Sequence, residues 1–579
     1  MTDAAAGRTD QSLADEFFDR QHRHDPLNAT LLGLTGFDGL LPDLRRSAEV
    51  AAADVFRRIA RAAVGSATTS DPGGGDRQDR DRQDRDRQDR DRQRVDAAVL
   101  TWMANAAADD AQHCLWEANA SAAGYVSPQA LVFQAVPATP LPDDTARLVM
   151  LDRLAGLADH FDAVADRYRQ AAAVGRVPTA VGVRQAARQL ETYLGRPVEQ
   201  DVLLPAALGA RRAEAAVAVE QQVRPAMVRL AQMLRGELLP VARGDDDVGI
   251  GAVPGGADGY RAAVARHTSL ASTPEQIHQT GLDVLEELRE QWTQVGRQAL
   301  DLTDPGEIRA RLRTDPALRF QTREQIVATV TEALDRAEAH RADMLPPFDI
   351  GGCVVEEIDP AEAASAPLAY YRPPSDDGTR PGAHCVLTAD PGDRYRFEYE
   401  ALAFHESVPG HHLQLASAQT LDHLPRYRRH VDAQLGVYVE GWGLYAERLA
   451  DEFGLYSSPL ARLGMLSFDA LRACRLVVDT GMHALGWSRT RAMDFLRDNT
   501  ATPEANVRNE IDRYIASPGQ ALAYMTGRRE IQRLRRRCEA ELGAAFDLAG
   551  FHGAVLGEGP LPMPVLDTVV AAWSRTRRG

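Results

Sequence analysis

The sequence predicts a mostly α-helical protein that contains one small β-sheet. Two long segments, from Val95 to about residue 341 and from Tyr395 to the C-terminus, are rich in Ala, Leu, Arg and Glu. Their apolar residues recur at three- and four-residue spacing, which is typical of helices. Between them, from Pro346 to Asp390, short β-prone runs alternate with Pro, Gly and Asp. We therefore expect a small antiparallel sheet directly before the second helical segment.

Composition limits the possible partners. The chain has 579 residues, of which 44% are hydrophobic, so it can bury a large core. Its net charge of −17 argues against nucleic acid or an anionic membrane as a main partner. All of its basic residues are arginines, since the sequence contains no lysine. Catalysis through a lysine Schiff base and phosphate binding through a Walker lysine are therefore excluded.

The cysteines and the hydrophobic pattern predict a cytoplasmic protein. The five cysteines are scattered and form no C-x-x-C pair, which predicts that they are reduced thiols. The first residues show no apolar stretch of the kind found in signal peptides, and no run of about 18 apolar residues occurs. We therefore expect neither export nor membrane insertion.

The N-terminal region is interrupted by a low-complexity tract. Residues 10–65 predict two helical segments around a loop at Asp25-Pro26. A five-residue unit, Asp-Arg-Gln-Asp-Arg, then repeats from Asp76 to Arg90 and ends near Arg94. The repeat has no apolar face at any period, so we expect a disordered charged insertion at about 67–94. Charge pairs four residues apart could give it transient helicity.

The remaining elements follow from local signals. Thr273-Pro274-Glu275-Gln276 predicts a capped helix that runs towards Leu300. The β-prone runs are Val354-Val355, Leu368–Tyr371 and Cys385–Leu387, with a turn at Pro373–Gly378. After residue 390, helices are predicted at about 394–420, 427–452, 458–487, 503–515, 518–542 and 562–575. We divide the chain into 1–345 and 346–579 and expect both parts to belong to one domain.

The most informative stretch runs from His405 to Gln414, with the sequence HESVPGHHLQ. His-Glu opens the H-E-x-x-H signature of zinc hydrolases, but Pro409 occupies the position of the second histidine. On an unbroken helix His405 and His411 would face opposite sides, and His405 and His412 would lie roughly 10 Å apart. Because Pro409 and Gly410 break the helix, His411 or His412 could fold back towards His405. Glu406 is then the predicted general base.

A third ligand is predicted from the segment VEGWGLYAE. Its Glu440 follows His411 by 29 residues, which leaves room for a loop and a returning helix. The glycines next to Glu440, Gly441 and Gly443, would permit close backbone approach. Glu447 lies seven residues later on the same helical face, where it could hold a ligand histidine from behind. We expect one zinc ion on these ligands.

Several other residues are candidates for contact with substrate. A hydrolytic oxyanion needs a donor besides the metal, and Tyr514 and Tyr524 flank a Pro-Gly break. Arg513 could hold a substrate carboxylate, and His483 is a further donor. Tyr370, on a predicted strand, could contact a peptide docked along the sheet edge.

These motifs resemble those of the bacterial domain-of-unknown-function 885 family. The resemblance implies a helical fold like that of the neurolysin and angiotensin-converting-enzyme group of zinc peptidases, with a deep cleft. It also favours His411 over His412 as the ligand. The chain departs from the family pattern in the charged repeat and after Met482, where members often carry a second histidine. The matching segments are His405–Gln414, Glu440–Glu447, Arg472–Gly481, Arg513-Tyr514, Pro518–Leu522, Leu13–Phe17 and Leu41–Leu44.

Three functions are consistent with the sequence. The first is a zinc-dependent hydrolase of peptide or related amide bonds in short substrates. The second is a metal-dependent enzyme that removes or transfers an acyl or aminoacyl group on a small metabolite. The third is a non-catalytic binding protein that uses the cleft alone, although such a protein would not need Glu406.

Overall fold

The computed structural model describes residues 10–68, 80–359, 366–375, 380–429 and 433–578. It confirms a mostly helical fold with one small sheet. Short 3-10 and π-helical segments connect several of the helices. The helices are α1 (Asp10–His24), α2 (Pro26–Leu31), α3 (Arg46–Thr68), α4 (Arg80–His113), α5 (Pro128–Ala135), α6 (Asp144–Ala173), α7 (Ala180–Leu194), α8 (Arg212–Ala218), α9 (Arg224–Met233), α10 (Gly256–Thr268), α11 (Pro274–Leu300), α12 (Pro305–Thr314), α13 (Arg323–Ala339), α14 (Arg341–Met344), α15 (Tyr399–Glu406), α16 (His411–Gln419), α17 (Arg426–Arg429), α18 (Gly436–Glu452), α19 (Pro459–His483), α20 (Arg489–Asn499), α21 (Glu504–Ala516), α22 (Ala523–Leu542), α23 (Leu548–Leu556) and α24 (Met563–Arg578).

The chain forms two compact units. The first contains the described residues up to Ala263 together with Gly481–Ala492 and Asn509–Pro518. Its core contains α6, α7 and α9, and the buried apolar face of α6 packs against α9, which also packs against α7. The second contains Val264–Thr480, Met493–Arg508 and the residues from Gly519 onwards. The units divide near residue 264, whereas the parts defined from the sequence were 1–345 and 346–579.

The sheet lies in the second unit and is mixed. Its strands are β1 (Cys353–Glu357), β2 (Ala369–Arg372) and β3 (Gly382–Val386), in the order β1-β3-β2. β2 pairs antiparallel with β3, but β1 pairs parallel with it, so the prediction of a purely antiparallel sheet is wrong for β1. β1 and β2 are the two edge strands, and β3 lies between them. After β2 the chain reverses direction, so β3 runs parallel to β1. The turn predicted at Pro373–Gly378 lies in part outside the described residues.

The charged repeat is helical where the structure describes it. Residues 80–94 form the start of α4, and the expectation of helicity from charge pairs applies to them, whereas disorder of the insertion stays a prediction. Exposed ion pairs three residues apart support this segment, with Arg92 3.8 Å from Asp89 and Arg94 3.3 Å from Asp91. The later turns of α4 are buried at Val99 and Leu100 and anchor the helix. Residues 69–79 of the predicted insertion lie outside the described residues.

The helices after the sheet follow the predicted order with two kinds of difference. The segment predicted as one helix at 394–420 is divided into α15 and α16. Two short helices, α20 and α23, were not predicted. The capped start of α11 is confirmed, since Thr273 and Gln276 form a reciprocal capping box. No helix in the described segments is long and apolar enough to span a membrane.

Two glycines let α18 and α22 pack in direct backbone contact. A Cβ atom on Gly527 would lie 1.8 Å from the carbonyl oxygen of Val437 and 2.7 Å from the Cα of Gly441. No side chain fits at this distance, so the residue must be glycine for the helices to approach. The contact fixes how far α18 is displaced along its axis relative to α22. Glu440 lies on α18, so its position is fixed as well.

We expect Gly527→Ala to destabilise the protein by about 3 kcal/mol or more, because the helices must separate. Chemical denaturation measures the change. Gly236→Ala is the matched control, since a Cβ on this helical glycine meets no atom within 4 Å. Equal effects of the two substitutions would contradict the packing described here.

Buried neutral histidines make stability depend on pH. In the second unit the Nδ1 of His552 donates to the carbonyl oxygen of Met344 at 2.6 Å, and its Nε2 accepts from the Tyr445 hydroxyl at 2.8 Å. Burial lowers the pKa of His552 to about 4, from an ordinary value of 6.5. The same cause lowers the pKa of four other histidines, His160, His267, His384 and His483.

Between pH 6.5 and 4 the unfolded chain binds more protons than the folded chain, so the free energy of unfolding should fall as the pH falls. His552→Gln should flatten this slope by up to about 1.4 kcal/mol per pH unit. Denaturant titrations at several pH values measure it. An unchanged slope in the variant would show that His552 is not buried in the neutral form.

Candidate metal centre

His405, His411 and Glu440 come together in the second unit. One ligand atom from each residue lies within 4.8 Å of the others. The Oε2 atom of Glu440 is 3.5 Å from Nε2 of His405 and 3.6 Å from Nε2 of His411. The two imidazoles are nearly perpendicular, with centroids 4.6 Å apart. Two nitrogens and one carboxylate oxygen therefore face a common point.

The break between α15 and α16 creates this arrangement. α15 ends at Glu406, and α16 begins at His411 with a new direction. A Cβ on Gly410 would lie 1.9 Å from the carbonyl oxygen of His405, so only glycine permits the chain to fold back this closely. The indole Nε1 of Trp442 on α18 donates to the carbonyl oxygen of Pro409 at 2.9 Å and fixes the break. The peptide bond before Pro409 is cis.

The glycines of α18 leave room for His405, the first candidate ligand. A Cβ on Gly443 would lie 2.6–3.0 Å from ring atoms of His405. The His405 ring can therefore lie flat against the helix that carries Glu440. Gly441 serves the neighbouring contact with α22. Close approach at these glycines was expected from the sequence, and the two glycines serve two different neighbours.

Glu447 holds His405 in position. Its Oε1 atom accepts a hydrogen bond from Nδ1 of His405 at 2.8 Å, which leaves Nε2 directed at the cluster. Both side chains are almost fully buried. Burial disfavours the charged imidazole, but the contacts with Glu440 and Glu447 outweigh it and raise the pKa of His405 to about 10. The Oε2 atom of Glu447 is buried without a hydrogen-bond partner among the described residues.

His411 and His412 occupy different environments. Nδ1 of His411 is buried and has no hydrogen-bond partner in the described part of the chain, while its Nε2 faces Glu440. His412 points away from the cluster. Its Nε2 donates to the carbonyl oxygen of Gly351 at 3.0 Å, so its Nδ1 must accept the hydrogen bond from the Tyr371 hydroxyl, also at 3.0 Å. Burial lowers the pKa of His412 and favours this neutral form.

The geometry therefore does not favour His412 as an alternative ligand, because both of its nitrogens are engaged elsewhere. A Cβ on Gly382 would lie 2.6 Å from the Tyr371 hydroxyl oxygen and 2.9 Å from Nδ1 of His412. The glycine at the start of β3 thus leaves the space in which this hydrogen bond forms.

Glu406 lies at the end of α15, next to the cluster. Its Oε2 atom accepts a hydrogen bond from the backbone N–H of Tyr371 at 2.9 Å. Burial raises the pKa of its carboxyl group, although the two cluster histidines oppose the shift. Tyr371 was not predicted. Tyr370, the predicted contact, lies opposite Cys385 and points to the other face of the strand.

The cluster fits a divalent cation on two grounds. Donors about 2.0–2.2 Å from a tetrahedral zinc ion are roughly 3.3–3.6 Å apart, which matches the two nitrogen–oxygen distances. The carboxylates of Glu406, Glu440 and Glu447 also concentrate negative charge around two imidazoles. Burial raises the pKa of Glu440, but contacts with His405 and His411 outweigh it and lower the pKa well below its usual range. Its side chain remains 25% exposed, so the centre is open to solvent.

Three predicted substrate contacts belong to the first unit and are bonded within it. The hydroxyl group of Tyr514 donates to Glu510, and Arg513 donates to the same carboxylate at 3.1 and 3.2 Å. Nδ1 of His483 accepts from the N–H of Ile250, and its Nε2 donates to the carbonyl oxygen of Tyr514, both at 3.0 Å. These bonds give His483 a structural role in the unit.

Tyr524, the other predicted oxyanion donor, belongs to the second unit. The guanidinium carbons of Arg475 and Arg472 lie 4.4 and 5.9 Å from the centre of its ring. The two arginines are three residues apart on α19 and lie on one face of that helix. Neither was singled out from the sequence for a role, since only the structure shows what surrounds them.

Comparison with solved structures gives two relatives with this fold. One is described as "the putative lipoprotein from Colwellia psychrerythraea", with 25% identity and a TM-score of 0.84; the match covers 98% of this chain and 99% of that one. The second is described as "a putative lipoprotein of unknown function from Shewanella oneidensis", with 17% identity and a TM-score of 0.71; the match covers 98% and 100%. No curated protein matches the chain.

The sequence model of one family matches residues 26–570 and so spans both units. That family carries the description "Bacterial protein of unknown function (DUF885)". Because the match covers most of the sequence, the chain belongs to the DUF885 family of bacterial proteins.

Proposed function

We propose that the protein is a zinc-dependent hydrolase that cleaves peptide or related amide bonds in short substrates. The observation that carries the proposal is the convergence of His405, His411 and Glu440 beside the carboxylate of Glu406. Two histidines, one carboxylate and an adjacent glutamate base are the groups of the zinc peptidases. We accordingly group the site with those of the neurolysin and angiotensin-converting-enzyme peptidases.

The chain's own residues divide the work. A zinc ion on His405, His411 and Glu440 would act as a Lewis acid on the scissile carbonyl and lower the pKa of water at its open position. Glu406 would take the proton of the attacking water and pass it to the leaving amine. The Tyr371 N–H fixes one oxygen of that carboxylate, which leaves the other for the proton. Glu447 keeps Nε2 of His405 directed at the metal.

The cellular location stays a prediction. The sequence favours the cytoplasm, whereas the two structural relatives are described as lipoproteins, a description that belongs to those proteins. The proposed chemistry is compatible with either compartment, since it requires only zinc and water.

The two adjacent histidines provide a matched test of the ligand set. The purified protein should bind about one zinc ion per chain. His411→Ala should lower the zinc affinity strongly because it removes a ligand. His412→Ala should retain the ion, since that ring bonds to Gly351 and Tyr371. Zinc content after dialysis against a weak chelator measures both. Loss of zinc in the His412 variant alone would overturn the assignment.

Glu406→Gln should lower kcat by about a hundredfold or more, with an unchanged zinc content. Glutamine keeps an acceptor for the Tyr371 N–H but cannot take a proton. Activity is measured on a panel of di- and tripeptides and on N-acylated amines, which separates a peptidase from an acyl-removing enzyme. Glu356→Gln is the control, because that exposed carboxylate pairs with Arg372. A Glu406 variant as active as the wild type would contradict the proposal.

A further inference from the structure

Arg472 is a buried cation without a hydrogen-bond acceptor among the described residues. Its side chain on α19 is 7% exposed, and its Nε atom has no hydrogen-bond partner among the described residues. No ion pair to Arg472 is formed within the described segments. An arginine stays charged in proteins, and a buried charge without a partner is costly. Such a residue is retained at a cost in stability.

Three other buried arginines show what a structural role requires. Arg153 donates to the carbonyl oxygens of Leu40 and Pro26 and to two threonine hydroxyls. Arg167 is bonded to Glu117 at 2.9 Å, and Arg528 is bonded to Asp469. Each of these guanidinium groups is neutralised or solvated by the protein. Arg472 differs from them, although its burial is similar.

Aromatic rings hold the Arg472 guanidinium in place. Its central carbon lies 4.6 Å from the ring centre of Phe468 and 5.9 Å from that of Tyr524. The carboxyl group of Glu398 interacts electrostatically with Arg472, but burial raises its pKa to about 8. It forms no hydrogen bond or ion pair with Arg472 within the described residues. The donors of Arg472 are therefore oriented and left for an anion.

Helix packing puts Arg472 at about the level of the metal centre. α18 and α22 run side by side in one direction, since Gly441 meets Gly527 and a Cβ on Gly436 would lie 3.8 Å from that of Ala523. α19 runs the opposite way, because Asp469 contacts Arg528 while the later Arg475 contacts Tyr524. Arg472 lies between these two contacts and is thus within about one helical turn of the level of Glu440.

We propose that Arg472 binds a carboxylate group of the substrate, with Tyr524 as one wall of the subsite. That the bound carboxylate belongs to a substrate rests on the proposed hydrolase function. A short peptide with a free terminal carboxylate, or an acidic side chain, fits this chemistry. The planar donor fork of Arg472 matches a carboxylate, and the carboxylates of Glu406, Glu440 and Glu447 in the same unit disfavour a dianionic phosphate. The sequence suggested this role for Arg513, which is instead bonded to Glu510.

Calorimetric titration tests the proposal without turnover. The full-length chain, zinc-loaded and metal-free, is titrated with N-acetylglycine, its uncharged amide and inorganic phosphate. The wild type should bind the acid at least about tenfold more tightly than the amide, and Arg472→Gln should lose this preference. Arg319→Gln should keep it, since Arg319 also stacks on a tyrosine ring but lies 3.5 Å from Asp393.

Thermal melting adds a readout that does not depend on binding. Arg472→Gln should keep or raise Tm, whereas Arg528→Gln should lower it, because Arg528 neutralises Asp469. The inference is overturned if the wild type fails to prefer the acid in both metal states, if it prefers phosphate, or if Arg472→Gln binds the acid like the wild type. A strong fall of Tm in Arg472→Gln would also overturn it, since it would reveal a structural partner. If the protein shows Arg472-dependent binding of the acid but no hydrolase activity, the proposed function is refuted and the carboxylate-binding role of Arg472 stands.

Discussion

The close approach of Gly410 to the carbonyl oxygen of His405 is the constraint on which the site depends. The chain turns back between Glu406 and His411. His405 and His411 would point apart on one continuous helix, but here they face a common point. The hydrogen bond from Trp442 to Pro409 couples this break to α18. α18 carries Glu440 and Glu447 and is itself fixed by the Gly441–Gly527 contact. The geometry of the candidate ligands is therefore a consequence of backbone packing among helices.

The second unit contains two sets of charged contacts, an outer set at the candidate metal centre and an inner set around Asp469. Glu440 faces both cluster histidines, and Glu447 behind it bonds to His405. Deeper still, Asp469 bonds to Arg448 and Arg528, so these buried charges are paired within the protein. A dication would complete the balance in the outer set. Arg472 differs from Arg153, Arg167 and Arg528, because it forms no hydrogen bond or ion pair within the described residues, and such a residue is a candidate for a binding site.

Local spacing made much of the fold and the candidate site predictable. The helical class, the three strand positions and the grouping of His405, His411 and Glu440 follow from short motifs. The direction of β1 could not be predicted because it depends on a long connection. The residue of β2 that contacts Glu406 depends on the strand register, and Tyr371 was missed because the sequence does not give that register. The helicity of residues 80–94 depends on local ion pairs and on the buried turns that follow. Arg472 opens a segment that matches the family, but no role for it followed from the sequence, because only the structure shows that it has no acceptor among the described residues.

Anomalous diffraction at the zinc edge, from crystals of the zinc-loaded protein, tests the central claim most directly. The account predicts one strong peak in the second unit, within about 2.2 Å of Nε2 of His405, Nε2 of His411 and a carboxylate oxygen of Glu440. The His412 ring should remain bonded to Tyr371 and Gly351. A peak on other residues, coordination by His412, or no peak after zinc loading would contradict the account.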